Sequence, residues 1–174
     1  MNQFQSIQQN SRLTLNLSQG QKISLFLLRI SLGWLMFYAG ITKFLNPAWS
    51  AAGYLKNAKT FSSFYQWLAR PEILPIVNFV NEWGLTLLGL SLILGWGVRL
   101  SSILGAVLMF LYYLPILDFP YPTPHAFLVD EHIIYIFVLL LFASFRAGRV
   151  WGFDNWCSNL PICSKFPRLR RWFG

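Results

Sequence analysis

Hydrophobic and polar positions along the chain fall into long apolar runs separated by short polar or aromatic-rich stretches. The first apolar run extends from Ile23 to Phe44 with only Arg29 and Lys43 charged. As a helix it would measure about 33 Å, enough to cross a hydrocarbon core of about 30 Å. A second run covers 73–96, bounded by Arg70-Pro71 and Gly95-Trp96-Gly97, with Glu82 as its one charge. The third, 100–117, follows so closely that the two must form an antiparallel hairpin turning near Gly97 to Arg99, and Pro115 is expected to bend its last turn. The fourth is cleanest from His132 to Phe145 and reaches crossing length only if 129–147 is helical. The pattern predicts an all-α integral membrane four-helix bundle over 23–147, flanked by a polar tail at 1–22 and a basic tail at 148–174. The leader lacks a short apolar core with a small-residue cleavage pattern, so the first span is expected to be a retained anchor.

The connections differ in character. Asn46 to Arg70 interleaves Trp49, Tyr54, Phe61, Phe64, Tyr65 and Trp67 with Lys56 and Lys59, the mixture that settles at a membrane interface, and predicts an interfacial helical loop between the first two spans. Asp118 to Asp130 holds Pro120, Pro122 and Pro124, which disfavour regular helix and strand and predict a stiff cap on the same side.

Composition sharpens this picture. Of 174 residues, 55% are apolar and 11% charged, against about 25% charged in soluble domains. With a mean hydropathy of +0.47, the chain is unsuited to be a small soluble domain or a disordered one. The net charge of +8 would raise the question of nucleic acid in a soluble protein. Here the basic residues sit beside predicted membrane surfaces, so the expected partner is the lipid bilayer and not nucleic acid. Four spans place both termini on one side, with Arg12, Lys22, Arg99, Arg146, Arg149, Lys165, Arg168, Arg170 and Arg171, against Lys43, Lys56, Lys59 and Arg70 on the other. The positive-inside rule then predicts cytoplasmic termini, and discounting the distant last four basic residues leaves five against four.

The candidate chemistry lies in the few polar residues at membrane depth. Glu82 falls near the bilayer middle, where a bare carboxylate is costly, so it must be protonated or partnered. Asn78, Glu82, Thr86 and Gly89 share a helical face, and Arg29, Gly33, Met36, Gly40 and Lys43 form a matching stripe on the first span. Arg29 and Lys43 would each lie roughly 10 Å in depth from Glu82, on opposite sides of it, with Arg29 just able to reach it. Tyr112 and Tyr113 come to the depth of Glu82, while Glu131, His132 and Tyr135 gather at the outer entrance of the fourth span. The composite expectation is a polar pocket opening outward. Glu82 is its proton carrier with Tyr112 and Tyr113, and Lys43, Arg29, Glu131, His132 and Tyr135 are its substrate-binding side chains. A purely structural reading, in which Glu82 and Arg29 pair to lock helices, stands beside it. No metal site is expected, because His125 and His132 share no helical face. Cys157 and Cys163 read as reduced thiols of a cytosolic tail.

The segments Gly33-Trp-Leu-Met-Phe-Tyr-Ala-Gly40-Ile-Thr-Lys43-Phe44, Glu82-Trp-Gly84-Leu-Thr-Leu-Leu-Gly89-Leu-Ser-Leu-Ile-Leu-Gly95, Arg99, Glu131, and Gly148-Arg149-Val-Trp-Gly152-Phe-Asp154 together resemble the DoxX/DoxD family of small four-helix membrane proteins, over about residues 25–155. The resemblance implies a protein of a prokaryotic cytoplasmic membrane. It also implies a role like that of the DoxD-like subunit of a thiosulfate:quinone oxidoreductase, which joins two thiosulfates into tetrathionate, passes electrons to a quinone and works with a second subunit. No covalent or metal cofactor is evident in the sequence. The alternatives are a non-enzymatic scaffold or small-molecule binder, and a small transporter, which the lack of an inverted repeat disfavours.

Overall fold

Serine and glutamine open the first long helix. In the computed structural model, which describes residues 17–158, the Ser18 hydroxyl accepts from the Gln21 amide at 3.3 Å while the Gln21 side chain accepts from the Ser18 amide at 2.8 Å. This reciprocal cap starts α1, Gln19–Phe44. The interfacial loop contains two short helices, α2 (Ala52–Lys56) and α3 (Ser62–Leu68). The remaining bundle helices are α4 (Leu74–Leu94), α5 (Val98–Ile116) and α6 (Glu131–Phe145), followed by a 3-10 turn at Ala147–Arg149 and a short α7 at Phe153–Ser158. The polar leader before residue 17, Cys163 and the basic residues Lys165, Arg168, Arg170 and Arg171 lie outside the described residues.

The fold is all-α, a membrane four-helix bundle. Helices α1, α4 and α5 are long and apolar enough to span a membrane, whereas α6 has 15 residues, about 22 Å of helix. Two seams hold the bundle: α1 packs along α4, and α5 along α6. At the first seam a side chain on Gly40 would collide with the backbone of Thr86, and one on Gly89 with the backbone of Phe37. Glycine is therefore what lets the two helices approach so closely. The core between the pairs is Leu25, Leu32, Met36, Leu85, Leu92, Val98, Met109, Leu139 and Phe142. Large apolar residues such as Leu27, Trp34, Phe79, Leu87, Val107 and Phe137 remain exposed, as a lipid-facing surface requires.

The turn of the α4–α5 hairpin falls two residues earlier than Gly97 to Arg99. It is Gly95-Trp96-Gly97, and both glycines adopt left-handed backbone, φ +69° and +65°, which a side chain would disfavour. Although adjacent in sequence, α4 and α5 touch far less than the two seams do. They leave a groove between them of about 650 Å³.

A second small core, Ala51, Leu55, Ala58, Tyr65 and Ala69, lies under the α2–α3 loop. The loop is fastened to the end of α5: the Lys59 amide donates to the Pro115 carbonyl at 2.8 Å, and the Thr60 hydroxyl to the Leu117 carbonyl at 2.5 Å. Pro115 stays within α5, which ends one residue later. The proline-rich loop forms isolated bridges at Asp118–Tyr121 and Thr123–Ala126, and no strand occurs among the described residues.

Candidate functional site

Polar side chains gather at both ends of the bundle. At the loop end, Lys43 stands in the last turn of α1, half-buried, with its Nζ 5.1 Å from the centre of the Trp49 ring and 5.5 Å from that of Tyr112. A cation so placed is held by the faces of two aromatic rings. Glu82 is half-buried on the facing side of α4, and its charge acts on Lys43, though no ion pair joins them among the described residues.

Tyr112 links the helices. Its hydroxyl donates to the Asn81 side-chain oxygen, its carbonyl accepts from the Tyr54 hydroxyl, and Asn81 in turn donates to the Val77 carbonyl at 2.8 Å. The ring stands edge-on to His132 with centroids 6.2 Å apart. His132 Nδ1 meets Asp130 Oδ2 at 2.6 Å. The other Asp130 oxygen accepts from the amides of His132 and Ile133 at 3.1 and 3.3 Å, so Asp130 both caps α6 and orients the imidazole. Tyr65 seals the floor by donating to the Leu111 carbonyl at 2.9 Å, and burial pushes its hydroxyl above the usual tyrosine range.

The structure thus brings Lys43, Glu82, Tyr112 and His132 to one region, sends Arg29 to the other end, and leaves Tyr113 and Tyr135 at the edge of the cluster, within electrostatic reach of Asp130. Tyr113, one position along α5 from Tyr112, faces away and donates to the Leu128 carbonyl at 2.6 Å, because neighbouring helix positions point about 100° apart. Glu131 is exposed outside the cluster for the same reason, and Tyr135 is half-buried against the main core. The residues that sequence reasoning missed are Asn81, Tyr54 and Asp130. Asn81 is the buried polar residue of a face continued by Leu85, Leu88 and Leu92, one position from the stripe expected to point inward. Asp130 carried a readable signal, an acidic residue immediately before an apolar run.

Arg29 belongs to the opposite, terminal end, where the expected approach to Glu82 is corrected. Its guanidinium is 1% exposed and donates to the Ala147 carbonyl at 2.7 Å and the Trp151 carbonyl at 3.4 Å, while its Nε is buried without a hydrogen-bond partner among the described residues. Beside it Asp154, 3% exposed, accepts from the amides of Gly97 and Val98 at 2.7 and 3.2 Å and donates its own amide to the Gly95 carbonyl at 2.9 Å. The segment after α6 therefore folds back onto the α4–α5 turn, and Arg29 and Asp154 face each other across it. A side chain on Gly148 would collide with the Asp154 carboxylate, and one on Gly152 with the Gly148 carbonyl. Burial pushes the Asp154 carboxyl above the usual range and outweighs the opposing pull of the Gly97 and Val98 amides and of Arg29 and Arg149. The arrangement is a clasp. Among the described residues no three His, Cys, Asp or Glu side chains converge as metal ligands would.

A family model described as DoxX matches residues 24–116, more than half of the chain. The chain belongs to the DoxX family. The matched region of this DoxX protein runs from α1 through α5 and includes Arg29, Lys43, Glu82 and Tyr112, whereas Asp130, His132 and Asp154 lie beyond it. No curated protein and no solved structure gives a match to the chain.

Proposed function

We propose that this DoxX protein is the membrane subunit of a quinone-linked oxidoreductase of the thiosulfate:quinone type, set in a prokaryotic cytoplasmic membrane with both termini cytoplasmic. The observation that carries this reading is the loop-end cluster, where a ring-flanked lysine lies beside a carboxylate, a phenol and an imidazole–carboxylate pair. In the reaction two thiosulfates join through a new S–S bond and release two electrons, and the quinone takes up those electrons with two protons. Lys43 attracts the anion or polarises a quinone oxygen. Glu82 carries protons, and Tyr112 with His132 and Asp130 offers a second exchangeable path. Lys56 and Lys59, exposed on the loop, add to the attraction for an anionic substrate. The redox group that accepts the first electrons would come from a second subunit.

Protein purified with whatever accompanies it in mild detergent is expected to reduce a short-chain quinone analogue when thiosulfate is added. Absence of reduction in every pairing would overturn the enzyme reading. A Glu82→Gln variant should fold normally and lose turnover, and retained turnover would remove Glu82 from the proton path. A second reading, a non-enzymatic scaffold or small-molecule binder, is favoured by one observation: Tyr112 and Asn81 already satisfy each other, as groups locking helices do.

A further inference from the structure

The α2–α3 loop is joined to the bundle by a different kind of contact from those that hold the four helices together. α2 and α3 pack on each other and far less on the bundle helices. Of the five side chains fully buried in their small core, three are alanines, Ala51, Ala58 and Ala69. This core therefore removes much less apolar surface from water than the leucine, methionine and phenylalanine core of the bundle. Beyond the bond from the Ala51 amide to Asn78 on α4, hydrogen bonds tie the loop to one strip of acceptors at the end of α5. Tyr65 donates to the Leu111 carbonyl at 2.9 Å, Tyr54 to that of Tyr112, the Lys59 amide to that of Pro115 at 2.8 Å, and Thr60 to that of Leu117 at 2.5 Å. α5 offers these acceptors because the helix is ending there and because Pro115 has no N–H to give to Leu111. Water at the membrane surface can replace each of the four donors. Phe61, between α2 and α3, holds left-handed backbone at φ +52° without a side-chain cap, a conformation costly for a bulky residue. The chain enters and leaves the loop at exposed Asn46-Pro47 and Arg70-Pro71. Against the loop lies the Lys43 cluster: Trp49 faces the Lys43 ammonium, and the Tyr54 ring stands edge-on to Tyr112 with centroids 6.2 Å apart.

We propose that the α2–α3 segment is a lid, which opens as one unit over Lys43 and Tyr112 when its bonds to α5 are exchanged for water, while the four helices stay packed. The lid's role rests on the loop-end cluster being the site of action, yet its motion is measured without turnover, so the two readings fail separately. The full chain in lipid nanodiscs can be followed by hydrogen exchange and mass spectrometry. Amides of the segment 53–69 should share one opening constant, about tenfold or more above that of the α1–α4 seam around Gly40 and Gly89. Tyr65→Phe, which removes one donor to α5 and keeps the ring, should raise exchange across the whole segment several-fold and leave the seam unchanged. Acylation of Lys43 by a water-soluble succinimidyl ester should rise by the same factor, while exposed Lys56 and Lys59 react as before. Thr60→Val removes a second donor and gives the same test if Tyr65→Phe misfolds. Loop amides that exchange only together with the seam, an effect of Tyr65→Phe confined to its own neighbours, or faster exchange with no change at Lys43 would each overturn the lid.

Discussion

Removing Asp154 leaves Arg29 buried at the terminal end of the bundle without the charge that faces it. An uncompensated buried charge is the most expensive single-residue defect, about 3–5 kcal/mol when a buried pair is broken. Asp154→Ala, which also strips the Gly97 and Val98 amides of their acceptor, should destabilise the bundle on that scale, read as a fall in melting temperature in detergent. The clasp should also respond to pH. Burial raises the folded-state value of Asp154 above its ordinary 3.8, so the folded protein holds this proton more tightly than the unfolded one. That contribution is fully present below 3.8 and is lost as the pH climbs through the higher folded value. The melting temperature of wild type measured against the non-titrating Asp154→Asn should therefore fall as pH rises through this window. A wild-type value that rises against Asp154→Asn with pH would contradict the sign. The role of Arg29 was not legible in the sequence. Its depth alone suggested Glu82, and its real neighbour arrives from 125 positions away, carried by a segment that looked like the start of a tail.

Two glycines on one helix separate packing from mere smallness. Gly89 faces α1 so closely that a Cβ would overlap the Phe37 backbone, whereas the same atom at Gly84 meets nothing. Overpacking a seam that cannot yield costs about 1–3 kcal/mol. Gly89→Ala is thus expected to lower the melting temperature clearly. Gly84→Ala should leave it unchanged or raise it slightly, since alanine is the better helix former by about 1 kcal/mol. At the start of α6, Asp130→Ala removes a cap that satisfies two amides and should cost about 1 kcal/mol, visible as faster hydrogen exchange in the first turn of that helix. The elements themselves were largely legible, because apolar runs of crossing length have few alternatives in lipid, and the Gly33–Gly40 stripe lies on the α1–α4 seam as its spacing suggested. The register of the inward face of α4 was not legible. Asn78, Glu82, Thr86 and Gly89 make a plausible polar stripe, yet α4 is enclosed on more than one side. Its α5-facing side buries Asn81, and the stripe divides between α1 and the loop, where Asn78 accepts from the Ala51 amide at 3.0 Å.

For the whole molecule, the even number of bundle helices sets Ser18 and α7 at one end and the α2–α3 loop at the other, but it leaves open which end meets the cytoplasm. Among the described basic residues outside the buried Arg29, the ends are balanced: Lys22, Arg99, Arg146 and Arg149 against Lys43, Lys56, Lys59 and Arg70. Lys43 is the least able to contribute as a free surface charge, since it is half-buried between two rings. The bias toward cytoplasmic termini therefore rests on Arg12 and on the distal basic residues, and Arg12, close to the first span, weighs more than charges far beyond the last. This orientation would also place the ring-flanked lysine and the cluster around it on the outer side, where an extracytoplasmic anion would arrive, so the proposed function and the topology must agree or fail together. With Cys157 and Cys163 replaced by serine, a cysteine at exposed Asn57 should react with a membrane-impermeant maleimide in intact cells, and one at exposed Ser18 should react only after the cells are opened. The reverse pattern would turn the Lys43 cluster toward the cytoplasm and deny it an external substrate. Labelling of both positions in intact cells would mean that the near-even charge count produces two populations, and then Arg12→Gln should shift the ratio further toward outward-facing termini.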